Sequence, residues 1–154
     1  MPHPPRILLI NGPNLNLLGT REPGVYGRET LARIVDAARR HAEALGVGLS
    51  DFQSNIEGEL VARLHACHAE GFAGVAINPG AYTHTSVALR DAIAAVAVPC
   101  VEVHLSNVHG REPFRQTSLT AGVCAGVIAG FGPLGYRLAV DALVEIAGLR
   151  GRNE

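Results

Sequence analysis

Apolar and polar positions follow one another along the chain in blocks that predict alternating strands and helices. Short runs rich in Val, Ile and Leu, without regular polar interruption, are typical of strands covered on both faces. Longer stretches place apolar residues three and four positions apart, as in Leu31, Ile34, Val35 and Ala38, and these predict amphipathic helices. The predicted strands are 7–10, 47–52, 75–77, 98–103 and 123–128, and the predicted helices are 30–45, 54–70, 86–96 and 133–147.

Two helix starts carry local signals. Ser54 followed three residues later by Glu57 matches a capping box, which predicts Ser54 as the N-cap of the second helix. Pro133 fits the first position of the last helix, where its missing N–H costs nothing.

The strand–helix order predicts an α/β fold, namely a flavodoxin-like, doubly wound, five-stranded parallel sheet in a single domain over 1–154, with 1–5 as a flexible tail. Such sheets bind ligands outside the carboxyl ends of their strands. Polar side chains cluster at these ends, in 11–26 after the first strand, 78–85 after the third and 102–115 at the fourth. The sequence therefore predicts one composite site.

Composition narrows the function classes. The 154 residues are 47% hydrophobic with a net charge of −1, which argues against nucleic acid or an anionic membrane as a partner. Neither a signal peptide nor a membrane span is predicted. Cys67, Cys100 and Cys124 are widely spaced in apolar segments, so we expect free thiols, a reducing cytoplasmic location and no bound metal. All 13 basic residues are arginines, so a Schiff-base lysine is impossible.

Glu102 and His104 end the fourth predicted strand. They are two residues apart, so their side chains point to the same face. A carboxylate beside a histidine can orient the ring and favour its imidazolium form, as a general acid requires. The alternative is an ion pair with only a structural role. Leu105 and Ser106 follow, and their backbone N–H groups and the Ser106 hydroxyl could hold a carboxylate.

The loop after the third strand offers Asn78 and His84 as hydrogen-bonding groups for hydroxyls, although a solvated loop histidine is an equally good interpretation of His84. Arg111 and Arg115 lie in the loop that begins at His104 and are predicted to face the site. Four other histidines are interpreted as tail or helix-surface residues, namely His3, His41, His65 and His68. The role of His109 is left undecided.

The loop after the first strand supplies a candidate base. Tyrosine is a weak base at neutral pH, but a neighbouring arginine favours its phenolate. Arg21 stands five residues before Tyr26. A Tyr–Arg base opposite a His–Glu acid would abstract a proton beside a carbonyl and assist the loss of a leaving group.

Several of these strings, taken in order, resemble type II 3-dehydroquinate dehydratase. They are Asn11-Gly-Pro-Asn-Leu-Asn, Arg21-Glu-Pro with Tyr26-Gly27, Asn78-Pro-Gly-Ala-Tyr-Thr-His-Thr-Ser86, Glu102-Val-His-Leu-Ser-Asn107 and Arg111-Glu with Phe114-Arg115. The resemblance extends over nearly the whole chain and includes Ser118, Gly126 and Gly132. The chain departs mildly from the family pattern at four positions, Thr20, Gly24, Leu119 and Ala121. These departures concern the stiffness of a loop and the packing of the trimer.

The resemblance implies dehydration of 3-dehydroquinate to 3-dehydroshikimate by anti elimination through an enolate, without cofactor or metal. By position, it implies Tyr26 as base, His104 as acid, Arg21 as transition-state stabiliser and Asn14 as holder of a water against the enolate. It further implies a dodecamer built from trimers, with Asp91 reaching a neighbouring subunit's site. The substrate contacts that it implies are Asn78, His84, Leu105, Ser106 and Arg115.

Two rival classes of protein fit the sequence less well. A flavodoxin-like module for a flavin or a phosphorylated ligand lacks the expected signals, because the first loop has neither GxGxxG nor Lys-Ser/Thr. A serine hydrolase fits less well, because the chain has no G-x-S-x-G.

Overall fold

A parallel sheet lies at the centre of the structure, which is a computed structural model that describes residues 3–20, 22, 24 and 28–150. Its strands are β1 (Arg6–Asn11), β2 (Gly48–Gln53), β3 (Gly74–Asn78), β4 (Cys100–His104) and β5 (Gly126–Ala129). All pairs are parallel and the strand order is β2-β1-β3-β4-β5. This confirms the predicted fold class, including the change of direction in strand order that places a ligand cleft beside β1 and β3.

Helices cover both faces of the sheet. They are α1 (Leu31–Ala44), α2 (Glu57–Ala69), α3 (Val87–Ala95) and α4 (Leu134–Ile146). Ile7 and Leu9 of β1 pack with α1 and α4, whereas Leu8 and Ile10 pack with α2 and α3. Alternate residues of β1 therefore enter opposite cores, which is why its sequence is apolar throughout. No helix within the described residues is both long and apolar enough to span a membrane.

The helix starts follow local chemistry with one exception. Thr30 caps α1 by accepting the N–H of Arg33, and Ser86 caps α3 by accepting the N–H of Leu89. The predicted capping box at Ser54 is wrong. Its hydroxyl accepts the N–H of Ile56 two residues on, so it stabilises a turn before α2, and Ile56 is the N-cap without a side-chain bond.

The last two elements begin later than predicted. Residues Ala121–Val123 form a short 3-10 turn, so β5 starts only at Gly126. Pro133 precedes the first residue of α4 instead of occupying it. Boundaries of one or two residues are poorly determined by pattern alone, because a turn and a strand end can share the same apolar residues.

The loops after β1 and β3 touch each other through their backbones. The Gly12 N–H donates to the carbonyl of Asn78 at 2.8 Å. A Cβ on Gly12 would stand 2.6 Å from the carbonyl oxygen of Pro79, and Gly80 has φ +56° beside Pro13. Glycine is required at both places, at the first for space and at the second for backbone conformation. This contact brings the two loops to one edge of the sheet.

Candidate active site

A cleft opens at the carboxyl edge of β1, β3 and β4. The described side chains and backbone that line it come from all three predicted polar clusters, so the expectation of one composite site is consistent with the geometry. The residues predicted from the sequence that line this cleft are Asn14, Asn78, His84, His104, Leu105, Ser106, Arg111 and Arg115.

Glu102 and His104 form a buried pair at the floor of this cleft. The Glu102 carboxylate is fully buried, and the His104 side chain is 8% exposed. The His104 Nε2 lies 2.8 Å from Glu102 Oε2. Since a carboxylate accepts, Nε2 carries the proton and donates it, and Nδ1 has no hydrogen-bond partner among the described residues. The ring therefore presents Nδ1 for a ligand.

Three hydroxyl groups complete the surroundings of Glu102. The Thr83 and Ser118 hydroxyls lie 3.1 and 3.2 Å from Oε2, and Thr120 donates to Oε1. Burial alone would raise the pKa of Glu102, but hydrogen bonds from His104, Thr120 and Thr83 hold it below its ordinary value. The carboxylate is thus stabilised in its ionised form.

His84 is fixed by the loop that carries these hydroxyls. Its Nδ1 lies 2.7 Å from the backbone carbonyl of Thr117. A carbonyl can only accept, so Nδ1 donates, and Nε2 of the neutral ring is an acceptor. The Leu119 N–H donates to the Thr83 carbonyl at 2.7 Å, which ties the same loop to the segment after β3. His84 is therefore held in one orientation and lines the cleft.

Arginines and backbone N–H groups make the opposite wall suitable for an anion. Arg111 Nη1 donates to the Ser106 hydroxyl at 3.2 Å. Arg115 pairs with Glu112 and stacks beside the Phe114 ring. Leu105 and Ser106 follow His104 directly and line the same cleft. This arrangement fits a substrate that carries a carboxylate next to hydroxyl groups.

Asn14 and Asn78 are held by neighbours that the sequence did not single out. Asn14 has φ 67°, and its backbone N–H donates to Asn55 Oδ1 at 2.9 Å. Asn78 accepts the Gly80 N–H through Oδ1 and donates through Nδ2 to the Tyr136 hydroxyl at 3.0 Å. The Asn78 amide and the Asn14 backbone are therefore fixed in position by contacts within the fold.

Tyr136 links Asn78 to Asn11 beneath the cleft. Its hydroxyl donates to Asn11 Oδ1, and burial raises the pKa of this phenol far above its usual range, so it stays neutral. The Asn11 Nδ2 is buried without a partner among the described residues. Neither Asn11 nor Tyr136 was assigned a role from sequence, because their contact joins residues 125 positions apart.

The structure does not test every predicted site residue. Arg21 and Tyr26 lie outside the described residues. Asp91 lies exposed on α3 and is not among the described residues that line the cleft. His41, interpreted as a helix-surface residue, lies partly exposed on α1, and its Nε2 also pairs with Asp141 of α4 at 2.7 Å.

The three cysteines are free thiols. Cys67 and Cys100 are buried as expected, and Cys124 is half-buried. Burial raises the pKa of Cys100 to about 12. Over the described ranges, no group of three or more His, Cys, Asp or Glu side chains is arranged to hold a metal ion.

The fold and cleft define a class of protein, a flavodoxin-like α/β protein with a histidine–carboxylate pair suited to proton transfer. Comparison with known proteins makes this specific. Residues 5–144 match the family model described as dehydroquinase class II, and the chain belongs to this family.

Individual relatives agree. A 3-dehydroquinate dehydratase of Thioalkalivibrio sulfidiphilus is 60% identical over 92% of this chain and 96% of its own length. Catabolic 3-dehydroquinase 1 of Aspergillus terreus is 56% identical, with coverage of 90% of each. The crystal structure of type II dehydroquinase from Butyrivibrio crossotus is 44% identical with a TM-score of 0.89, covering 90% of this chain and 97% of that one.

Proposed function

We propose that this protein is a lyase that dehydrates 3-dehydroquinate to 3-dehydroshikimate in the shikimate pathway, which leads to the aromatic amino acids. Membership of the dehydroquinase class II family supports the reaction. The observation within the site that carries it is the buried Glu102–His104 pair, in which His104 bonds Glu102 through Nε2 and lines a cleft that also contains amides and arginines.

In the proposed mechanism, Tyr26 removes a proton from C2 of the substrate and an enolate forms. Arg21 favours the phenolate and stabilises the transition state, and Asn14 holds a water against the enolate. His104 then protonates the departing C1 hydroxyl on the opposite face, which makes the elimination anti. The Nε2–H bond to Glu102 supports this role, because it leaves Nδ1 to face the ligand.

Substrate binding is assigned to the walls of the cleft. We assign the substrate carboxylate to the backbone N–H groups of Leu105 and Ser106 together with the Ser106 hydroxyl. Asn78, His84 and Arg115 are assigned to its hydroxyl groups. The buried supports of these residues keep them in place before the substrate arrives, which reduces the ordering that binding must supply.

The assay for this function is direct. Addition of 3-dehydroquinate should produce the ultraviolet absorbance of the conjugated enone product. Tyr26→Phe keeps the ring and removes the ionisable oxygen, so turnover should fall by about 10²–10⁴-fold while substrate binding persists. Tyr82→Phe is the matched control, because the Tyr82 hydroxyl donates to the Asn55 carbonyl. Activity of Tyr26→Phe within about tenfold of wild type would remove Tyr26 from this role.

We further propose a closed cytoplasmic homo-oligomer, a dodecamer built from four trimers. In this assembly Asp91 completes a neighbouring subunit's site. The exposed position of Asp91 on α3 supports a role across a subunit boundary. Exposed apolar side chains at β5 and the start of α4 also support association, namely Val127, Phe131 and Leu134.

Co-expression of two inactive variants tests this arrangement. Asp91→Ala and His104→Ala should each lose most activity alone. Mixed oligomers should regain activity, because some sites combine an intact His104 from one chain with an intact Asp91 from another. Absence of any recovery in oligomers shown by mass spectrometry to contain both chains, or a fully active monomer by light scattering, would contradict the proposal.

A further inference from the structure

The Glu102 carboxylate is surrounded by hydroxyl groups that come from two separate segments of the chain. Thr83 belongs to the turn Gly80–His84 after β3, whereas Ser118 and Thr120 belong to the loop before β5. Thr83 also lies 2.5 Å from the Ser118 hydroxyl and 2.9 Å from that of Thr120. The three hydroxyls therefore form one connected cluster against the carboxylate.

A buried charge of this kind needs compensation. A fully buried carboxylate without hydrogen bonds is strongly disfavoured, and it becomes protonated instead. No arginine within the described residues hydrogen-bonds to Glu102; its partners are His104 and the three hydroxyls. His104, Thr83 and Ser118 face Oε2, and Thr120 donates to Oε1, so both carboxylate oxygens have a hydrogen-bonding partner.

The position of one hydroxyl oxygen is fixed independently. Ser118 Oγ accepts the backbone N–H of Ala121 at 2.9 Å, which uses one of its lone pairs and leaves its proton to be donated. The backbone bond from Leu119 to Thr83 holds the two segments together. The cluster is thus built into the fold and does not depend on the rotation of single exposed side chains.

We propose that Thr83, Ser118 and Thr120 are positioning residues that keep Glu102 ionised and thereby keep the Nε2–H of His104 directed at it. The consequence for catalysis rests on the proposed function, in which His104 donates a proton from Nδ1. After that donation the ring is neutral with its remaining proton on Nε2. An ionised Glu102 accepts this proton in a hydrogen bond, whereas a protonated Glu102 has no free charge with which to stabilise it.

Other titratable groups face the cluster from each neighbouring segment. His84, His109 and Arg115 line the same cavity as Glu102, on the side of the loops after β3 and β4. Cys124 lies toward β5, where burial and, to a smaller extent, the charge of Glu102 raise the pKa of its thiol to about 12. A thiol that stays neutral adds no charge at neutral pH, so the hydroxyls remain the direct partners to alter.

The test replaces the hydroxyls while keeping side-chain volume. Thr120→Val and Thr83→Val remove a donor with little change of shape, and Thr120→Ser restores the hydroxyl without the methyl group. Ser118→Ala is a smaller change at a half-buried position, and it provides a result if a valine variant does not fold. Thr85→Val is the matched control, because Thr85 is exposed and stands two residues from Thr83.

Two measurements separate positioning from general structural support. In the first, the pH profile of kcat with 3-dehydroquinate should keep its shape in Thr120→Val while its acidic limb moves to higher pH by about one pH unit. The loss should therefore reach about tenfold on the acidic side and shrink toward neutral pH. Thr120→Ser and Thr85→Val should follow the wild-type profile, and Ser118→Ala should shift by less.

The second measurement needs no substrate. Infrared spectra of the empty protein should show the carbonyl band of protonated Glu102, assigned by its absence in Glu102→Gln, and this band should appear at higher pH in Thr120→Val. An unchanged band and an unchanged acidic limb in both Thr120→Val and Ser118→Ala would overturn the proposal. If the wild type did not turn over 3-dehydroquinate, the proposed function would fail while the infrared titration still decided the role of the hydroxyls.

Discussion

Two buried polar networks lie side by side at the carboxyl edge of the sheet, and they differ in charge. The neutral network joins Asn11, Tyr136 and Asn78, and the charged network joins Glu102 to His104 and three hydroxyls. The first leaves the Asn11 Nδ2 without a partner among the described residues, whereas in the second both carboxylate oxygens of Glu102 have hydrogen-bonding partners. Burial tolerates an imperfectly paired amide far better than an imperfectly paired charge.

The difference also concerns protons. Burial keeps Tyr136 neutral, so its network consists of fixed dipoles that connect β1, β3 and α4. The Glu102 network ends at His104, whose Nδ1 faces the cleft. We infer that the neutral network serves the position of Asn78 and the stability of the fold, and that the charged network serves the movement of a proton.

The largest expected effect is the loss of the histidine. His104→Ala removes the proton donor and leaves Glu102 without its ring partner, so kcat should fall by about 10²–10⁴-fold. Steady-state kinetics with 3-dehydroquinate measures this. His65→Ala, at an exposed position on α2, should retain wild-type kcat. Turnover of His104→Ala close to wild type would remove the charged network from catalysis.

A smaller effect is expected from neutralising the carboxylate. Glu102→Gln leaves the imidazole in place but replaces the charged acceptor of its Nε2–H by a neutral amide, which alters the orientation of the ring. Its kcat should therefore lie between those of wild type and His104→Ala, measured under the same conditions. If Glu102→Gln were the more damaging change, the glutamate would be the proton carrier and the assignment of the two residues would be reversed.

The smallest effect on turnover is expected in the neutral network. Tyr136→Phe removes a buried hydroxyl and leaves Asn78 without an acceptor, which should lower the free energy of unfolding by about 1–3 kcal/mol. We expect kcat to stay within a few-fold of wild type. Urea unfolding at one protein concentration measures the stability, with Tyr82→Phe as the same chemical change at a less buried position. A loss of kcat as large as that of Glu102→Gln, without loss of stability, would contradict the separation of the two networks.

Much of the fold was predictable because its signals are local. Apolar runs located each strand, and Thr30 and Ser86 stand where helix caps are expected. Ser54 failed as a capping prediction because the same side chain can bond the backbone two residues on, and sequence does not distinguish the two partners.

The candidate site was only partly predictable. Glu102 and His104 followed from the two-residue period of a strand, which needs no knowledge of the rest of the molecule. The hydroxyls of Thr83, Ser118 and Thr120 reach Glu102 from residues 16 to 19 positions away, so their convergence depends on how two loops fold. Threonine and serine are also common in ordinary turns, and composition therefore gave no reason to select these three.

Gly12 bears on how this enzyme family can be redesigned. The loops after β1 and β3 approach so closely at this residue that even a methyl group would collide with the Pro79 carbonyl. A mutant library aimed at new substrates should therefore keep Gly12 unchanged. Any other residue at this position would push the two loops apart and separate Asn14 from Asn78. Val108, which lines the same cleft and offers an ordinary apolar side chain, is a better starting point for directed evolution.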